Sequence, residues 1–149
     1  MNNNESKWDK LLRIKTSGRD DSRADQYRYP YEPTPYSVLE SLANAEYIGK
    51  KNTIVDYGCG KGRVDFFLSY QTRCKSIGIE ILRSVIGRVM ESYYEEPREM
   101  LLFFYYPSDE YISYLMSVDE LAFLDEIDCR DLFDGENPRE RIVIFEVAV

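Results

Sequence analysis

The residues best suited to chemistry in this chain form a glycine-rich turn that directly follows a short apolar segment. Gly58, Gly60 and Gly62 alternate with other residues, and Asp56 stands two positions ahead of the first of them. Glycines at this spacing remove side chains where a ligand must approach the backbone, and the N–H groups that begin the next helix can bind it. The turn therefore predicts a site for a nucleotide-type cofactor.

Two acidic residues and one cation narrow the choice of cofactor. Asp56 is placed to meet a positively charged amino group, and Glu80, at the end of the next predicted strand, can accept hydrogen bonds from both ribose hydroxyls. Arg63 stands where the third glycine of a dinucleotide fingerprint would fall, which disfavours an NAD-linked oxidoreductase. We therefore expect S-adenosylmethionine. The alternative is a tight turn without a ligand, in which both acids are ordinary surface groups.

The other residues of the turn are included in the predicted site because they lie between its glycines. Cys59 is interpreted as a small residue in a crowded loop, because the chain has no histidine to act as its base. Lys61 and Arg63 are expected to be exposed cations, facing either a ligand carboxylate or solvent. The cofactor-binding set is Asp56, Tyr57, Gly58, Cys59, Gly60, Lys61, Gly62 and Glu80. No catalytic residue is predicted. No metal ligand is predicted either, since the cysteines have no paired spacing.

The apolar pattern around the turn predicts an α/β fold. Ile54 and Val55 indicate a buried strand, and the turn leads into a helix that carries Val64 and Phe66–Leu68. Ser76–Glu80 indicates a second strand. Strand, turn, helix and strand in this order are typical of a parallel sheet with a right-handed crossover.

Elements before the turn are predicted from helical spacing and from capping residues. Trp8, Leu11 and Leu12 predict a short leading helix, and Thr34 and Pro35 are expected to cap and begin a second one. Tyrosines 27, 29, 31 and 36 lie between or beside these helices. They either line a pocket for an acceptor or pack in the core.

Elements after the turn alternate between helix and strand. An amphipathic helix is predicted from Leu82 to Tyr93, followed by an interior strand over Met100–Tyr106 and a helix capped by Ser108. Core packing is the favoured interpretation of Phe103 and Phe104. The turn at Asp134–Pro138 predicts that the strands Leu121–Cys129 and Arg141–Val147 form an antiparallel pair.

Composition indicates one soluble, intracellular domain. The 149 residues carry a net charge of -8, and residues 91–149 hold 4 basic against 16 acidic side chains. Such a surface repels phosphate, so binding of nucleic acid is disfavoured there. The basic residues before position 30 could meet an anionic partner, although a solvated surface is the simpler interpretation. No apolar run reaches the roughly 20 residues of a membrane helix, and Met1–Lys10 lacks the apolar core of a secretion signal, so a cytoplasmic location is expected.

These residues resemble a known family. Val55–Val64 followed by Ile77–Glu80 is similar to the cofactor site of class I S-adenosylmethionine-dependent methyltransferases, particularly small bacterial ones, and Tyr31–Tyr36 resembles their lead-in. The resemblance implies that Asp56 and the three glycines hold the methionine end of the cofactor and that Glu80 holds its ribose. It also implies a single Rossmann-like domain over residues 1–149, with a helix and loop over residues 1–35.

The resemblance also implies that a central segment is missing. Family members place two further strand-helix units after the ribose acid, whereas here the helix from Leu82 follows Glu80 almost at once. The missing part amounts to about 50 to 60 residues, at roughly 30 per strand-helix-strand unit. The expected sheet is therefore truncated to about five strands, mostly parallel, with an antiparallel C-terminal pair. Re-pairing of the strands, formation of a homodimer or domain swapping could each cover the unpaired edges of such a sheet.

Two functions remain open at this point. The first is a methyltransferase whose acceptor is not specified and whose activity is impaired, because the family's Asn-Pro-Phe-like or Asp-Pro-Pro-Tyr-like motif beside the methyl group is absent. The second is a non-catalytic, cofactor-binding or remnant protein of the same fold.

Overall fold

The computed structural model describes residues 3–19, 32–79 and 100–147. The chain divides into two compact units, Met1–Arg88 and Val89–Val149. No helix in the described ranges has both the length and the apolar character needed to cross a bilayer. Glu80, Tyr31 and the helix predicted from Leu82 to Tyr93 lie outside the described residues. The single domain over residues 1–149 stays a prediction.

In the N-terminal unit, the described residues form helices around a two-stranded parallel sheet. The helices are α1 (Asn3–Leu12), α2 (Tyr36–Asn44) and α3 (Arg63–Thr72), and the strands are β1 (Thr53–Tyr57) and β2 (Lys75–Ile79). The β-branched residues at the start of β1 favour extended backbone. The strands pair from Thr53 opposite Lys75 to Tyr57 opposite Ile79. The predicted strand, turn, helix and strand are therefore confirmed.

The core of this unit lies among its three helices, and its buried side chains include Tyr36, Val38, Leu39, Leu42, Phe67 and Leu68. Trp8 joins α1 to this core, because its ring meets Phe67 edge-on with centroids 4.8 Å apart. The indole Nε1 of Trp8 donates a hydrogen bond to Glu40 in α2 at 2.7 Å. The predicted leading helix therefore forms and packs against the other two.

The start of α2 differs from the prediction. Pro35 is the N-cap rather than the first helical residue, and no side chain of the cap accepts a hydrogen bond. Glu5 of α1 accepts the Tyr36 N–H at 3.0 Å instead. The prediction that Thr34 caps this helix was wrong, because the capping carboxylate comes from a different helix.

The C-terminal unit contains a three-stranded antiparallel sheet. Its elements are β3 (Leu101–Tyr105), α4 (Asp109–Met116), β4 (Leu121–Asp128), a 3-10 turn (Arg130–Leu132) and β5 (Arg141–Val147). The strand order is β3-β5-β4, and both pairs are antiparallel. The Ser108 hydroxyl accepts the Tyr111 N–H at 3.2 Å. The predicted cap of this helix and the predicted antiparallel final pair are both confirmed.

The prediction of about five mostly parallel strands was wrong for the described strands. β3 lies at the edge of its sheet and pairs antiparallel with β5, whereas we expected it to be an interior parallel strand. Phe104 of β3 packs with Leu115, Val143 and Phe145 between the sheet and α4. The apolar run over β3 is therefore explained by packing against α4. Such a run does not specify the direction of the neighbouring strand.

Candidate functional site

The turn between β1 and α3 has a backbone conformation that favours glycine. Gly58, Gly60 and Gly62 have φ values of 78°, 52° and 77°. The Gly62 N–H donates to the Cys59 carbonyl at 2.7 Å, which closes the turn. A Cβ on Gly62 would lie 3.1 Å from the Phe66 ring, so a side chain there would require that ring to move as well as an unfavourable φ. The turn leads the chain directly from the strand into the helix.

Seven of the eight predicted site residues lie at the end of β1 and in this turn. Asp56 and Cys59 are half-buried, whereas Tyr57 and Lys61 are exposed. The eighth, Glu80, lies outside the described residues, so its contact with a ribose stays a prediction.

Arg63 was predicted to be an exposed cation, and this was wrong: only 2% of it is exposed. Its guanidinium is ion-paired with Glu5, donates through Nε to the Thr16 hydroxyl at 2.8 Å, and donates to the Thr34 carbonyl at 3.1 Å. The planar, multidentate guanidinium can serve all of these acceptors at once. Arg63 therefore ties the start of α3 to α1, to the loop after α1, and to the start of α2.

Asp9 organises the loop that follows α1. Its carboxylate accepts the N–H and hydroxyl of Thr16 at 2.8 and 2.5 Å, the N–H and hydroxyl of Ser17 at 3.0 and 2.8 Å, and the Tyr36 hydroxyl at 2.7 Å. Burial alone would raise the pKa of Asp9, but these hydrogen bonds outweigh it and hold the pKa well below its ordinary value. Asp9 is therefore a carboxylate at neutral pH.

Tyr36 belongs to the core rather than to an acceptor pocket, since none of its surface is exposed. Burial, together with the neighbouring Asp9 charge, raises the pKa of Tyr36 to about 12. The hydroxyl therefore stays protonated and donates to Asp9.

Asp65, in the first turn of α3, is an acid that the sequence reasoning missed. Only 8% of this residue is exposed, and its buried Oδ1 has no hydrogen-bond partner among the described residues. A Cβ on Gly78 of β2 would lie 2.5 Å from Asp65 Oδ2 and 2.8 Å from Cys59 Sγ. Gly78 is also the register partner of Asp56. Asp65, Cys59 and Asp56 therefore meet around one glycine, and we call these four residues the acidic cluster.

The acidic cluster places two carboxyl groups beside the turn, which also carries the exposed Lys61. Burial, followed by the charge of Asp56, raises the pKa of Asp65 from 3.8 to about 6. Arg63 does not offset this charge at the turn, because Glu5 already binds its guanidinium. A phosphate would meet like charges here, whereas an ammonium group would be attracted. No group of three or more metal-binding side chains occurs in the parts of the chain that the structure describes.

Two signals in the sequence could have revealed Asp65. A glycine inside a strand, such as Gly78, often marks a place where another group approaches the backbone closely. An acid three residues after Gly62 falls in the first helical turn, where carboxylates face the preceding loop. Neither signal specifies that the carboxyl is buried.

Comparisons of the chain with protein-family models, with curated proteins and with solved structures give no match.

Proposed function

We propose that this chain is an S-adenosylmethionine-dependent methyltransferase-like protein whose glycine turn, Gly58–Gly62, holds the methionine end of the cofactor. The observation that carries the proposal is the combination of a side-chain-free turn with two carboxyl groups, Asp56 and Asp65, converging beside it. The amino-acid end of this cofactor has a carboxylate and an ammonium group. The turn has groups that would attract each of them.

The two complements come from different parts of the turn. The N-terminal end of α3 presents N–H groups and a positive dipole end, which suit the ligand carboxylate. The acidic cluster suits the ligand ammonium. The pyrophosphate of a dinucleotide would gain from the first and be repelled by the second, so S-adenosylmethionine is favoured over NAD.

A non-catalytic, cofactor-binding protein of the same fold is the second candidate. It is favoured by the strand arrangement, because β1 and β3 belong to different sheets in the described chain, as a missing central segment would leave them. The motifs expected beside a transferable methyl group are also absent from the sequence. A site that lacks one wall aligns the reacting groups poorly, and the rate of group transfer depends strongly on that alignment.

Calorimetric titration of the full chain with S-adenosylmethionine, S-adenosylhomocysteine and NAD tests the proposal. We expect saturable binding of the first two ligands and none of NAD. The variant Gly58→Ala should weaken binding at least about tenfold, since its methyl group would enter the space left for the ligand.

Gly135→Ala is the matched control, because Gly135 has φ 79° against 78° for Gly58 and neither would bring a Cβ within 4 Å of another group. The two substitutions therefore impose the same backbone strain, and only the first lies in the turn. Absence of binding by both adenosyl ligands, or preferential binding of NAD, would disprove the proposal.

A further inference from the structure

The Asp65 carboxyl is buried with one of its two oxygens unpaired among the described residues. It is more than nine-tenths buried, and its Oδ1 has no hydrogen-bond partner among the described residues. Leaving a buried polar oxygen unpaired costs roughly 1 to 3 kcal/mol, and more when the group is charged. The unpaired oxygen therefore lowers the stability of the fold, as is expected of a group that binds a ligand.

The carboxyl is held against the glycine turn by its surroundings. Its Oδ2 occupies the space beside Gly78 that a larger residue would fill, next to the Cys59 thiol. The Ser76 hydroxyl donates to the Asp65 carbonyl at 3.2 Å, which joins this turn of α3 to β2. The side chain is therefore positioned by β2 and by the turn together.

Three described groups lie beside the carboxyl, and none of the three is itself a cation. They are Asp56 from β1, the Cys59 thiol from the turn, and Gly78 from β2. Arg63, two residues earlier in α3, is bound to Glu5 and Thr16 instead. Burial and the nearby charge of Asp56 both disfavour ionisation of Asp65, so near pH 6 part of the Asp65 carboxyl carries a proton when no ligand is bound.

We propose that Asp65 and Asp56 together receive the ammonium group of the ligand's amino-acid end, and that the ligand displaces the proton that Asp65 carries near pH 6. The inference deepens the proposed function and rests on it. The ammonium group keeps its own protons, and the displaced proton passes from Asp65 to the buffer. No bond of the ligand is made or broken, and at most one proton is released per ligand bound.

Calorimetry of the full chain with S-adenosylhomocysteine at pH 6, in two buffers of different ionisation enthalpy, measures this proton directly. We expect a heat that depends on the buffer at pH 6, corresponding to a fraction of one proton released, and no such dependence at pH 8. The ligand 5′-methylthioadenosine, which lacks the amino-acid end, should release no proton at either pH.

The variant Asp65→Asn should release no proton and should bind S-adenosylhomocysteine about tenfold or more weakly at pH 8, because a charged hydrogen bond is lost. Its binding of 5′-methylthioadenosine should be unchanged. Glu46→Gln is the charge-matched control: Glu46 is exposed, in the loop before β1, at the end of that strand opposite to the glycine turn. It should behave as the unaltered chain does.

The outcomes separate the two proposals. If the unaltered chain binds S-adenosylhomocysteine without releasing a proton at pH 6, or if Asp65→Asn folds and binds it equally well, the inference is overturned and the proposed function stands. If neither S-adenosylmethionine nor S-adenosylhomocysteine binds the unaltered chain, the proposed function fails and the inference fails with it. The proton measurement on the unaltered chain decides the matter even if the variant does not fold.

Discussion

The guanidinium of Arg63 lies over the ring of Tyr36, 4.2 Å from its centroid, and the Tyr36 hydroxyl donates to Asp9. This contact places the cation that follows the glycine turn inside the protein rather than at its surface. It also joins the first residue of α3 to the first residue of α2. The turn is therefore held in place by the N-terminal helix and loop.

Arg63→Lys should destabilise the N-terminal unit by about 2 kcal/mol or more, because a lysine cannot serve Glu5, Thr16 and the Thr34 carbonyl together. Denaturant unfolding followed by fluorescence of Trp8, the single tryptophan of the chain, measures this unit. Arg73→Lys, at an exposed residue that follows the same helix, is the control and should change little. Equal midpoints for the two variants would show that the buried contacts of Arg63 do not stabilise the unit.

Asp9→Asn should lower stability at pH 7 by about 2 kcal/mol, since a charged acceptor of several hydrogen bonds is lost. The folded pKa of Asp9 lies below its unfolded value of 3.8, so its contribution is fully present above that value and is lost as the pH falls through the folded pKa. The difference between the unaltered chain and the variant should therefore shrink below about pH 4. A difference that stays constant between pH 7 and pH 3 would contradict this assignment.

Gly78→Ala should destabilise the chain by about 1 to 3 kcal/mol, because its methyl group would overlap Asp65 and Cys59. Gly49→Ala is the control, since the nearest atom to a Cβ there is Asn52 Oδ1 at 3.8 Å. Adding Asp65→Ala to Gly78→Ala should recover part of the lost stability, because the effects of substitutions at residues in contact are not additive. Strict additivity in this double-mutant cycle would show that the two residues do not meet.

Asp65→Asn should raise the free energy of unfolding at pH 7.5 by on the order of 1 to 3 kcal/mol, although it weakens ligand binding. The folded pKa of about 6 lies above the unfolded value of 3.8, so ionisation of Asp65 costs stability as the pH rises between these values. Asparagine does not ionise, and the advantage of the variant should therefore disappear near pH 4. Unfolding midpoints of both proteins at pH 4.5 and pH 7.5 measure this, and an equal difference at both would contradict it.

Local patterns in the sequence predicted the elements that depend on neighbours along the chain. The β-branched start of β1, the glycines of the turn, and Ser108 before α4 each act within a few residues, and each element formed as expected. The same holds for the Asp134–Pro138 turn, which returns β5 antiparallel to β4.

The features that the sequence did not reveal depend on contacts between distant segments. Arg63 is buried because Glu5, 58 residues earlier, accepts its charge. The cap of α2 comes from the same glutamate, 31 residues before Tyr36. Asp65 belongs to the acidic cluster only because β2 brings Gly78 against it, and no periodicity within α3 encodes that approach.

The most direct test of the account is an amide ¹H–¹⁵N NMR spectrum of the full chain with and without saturating S-adenosylhomocysteine. Glycine amides resonate in a distinct region, and the glycines of the turn can be compared with others in the same spectrum. The account predicts that Gly58, Gly60 and Gly62 shift, while Gly18, Gly49 and Gly135 do not. A spectrum in which the three glycines of the turn stay in place at saturating ligand would contradict it.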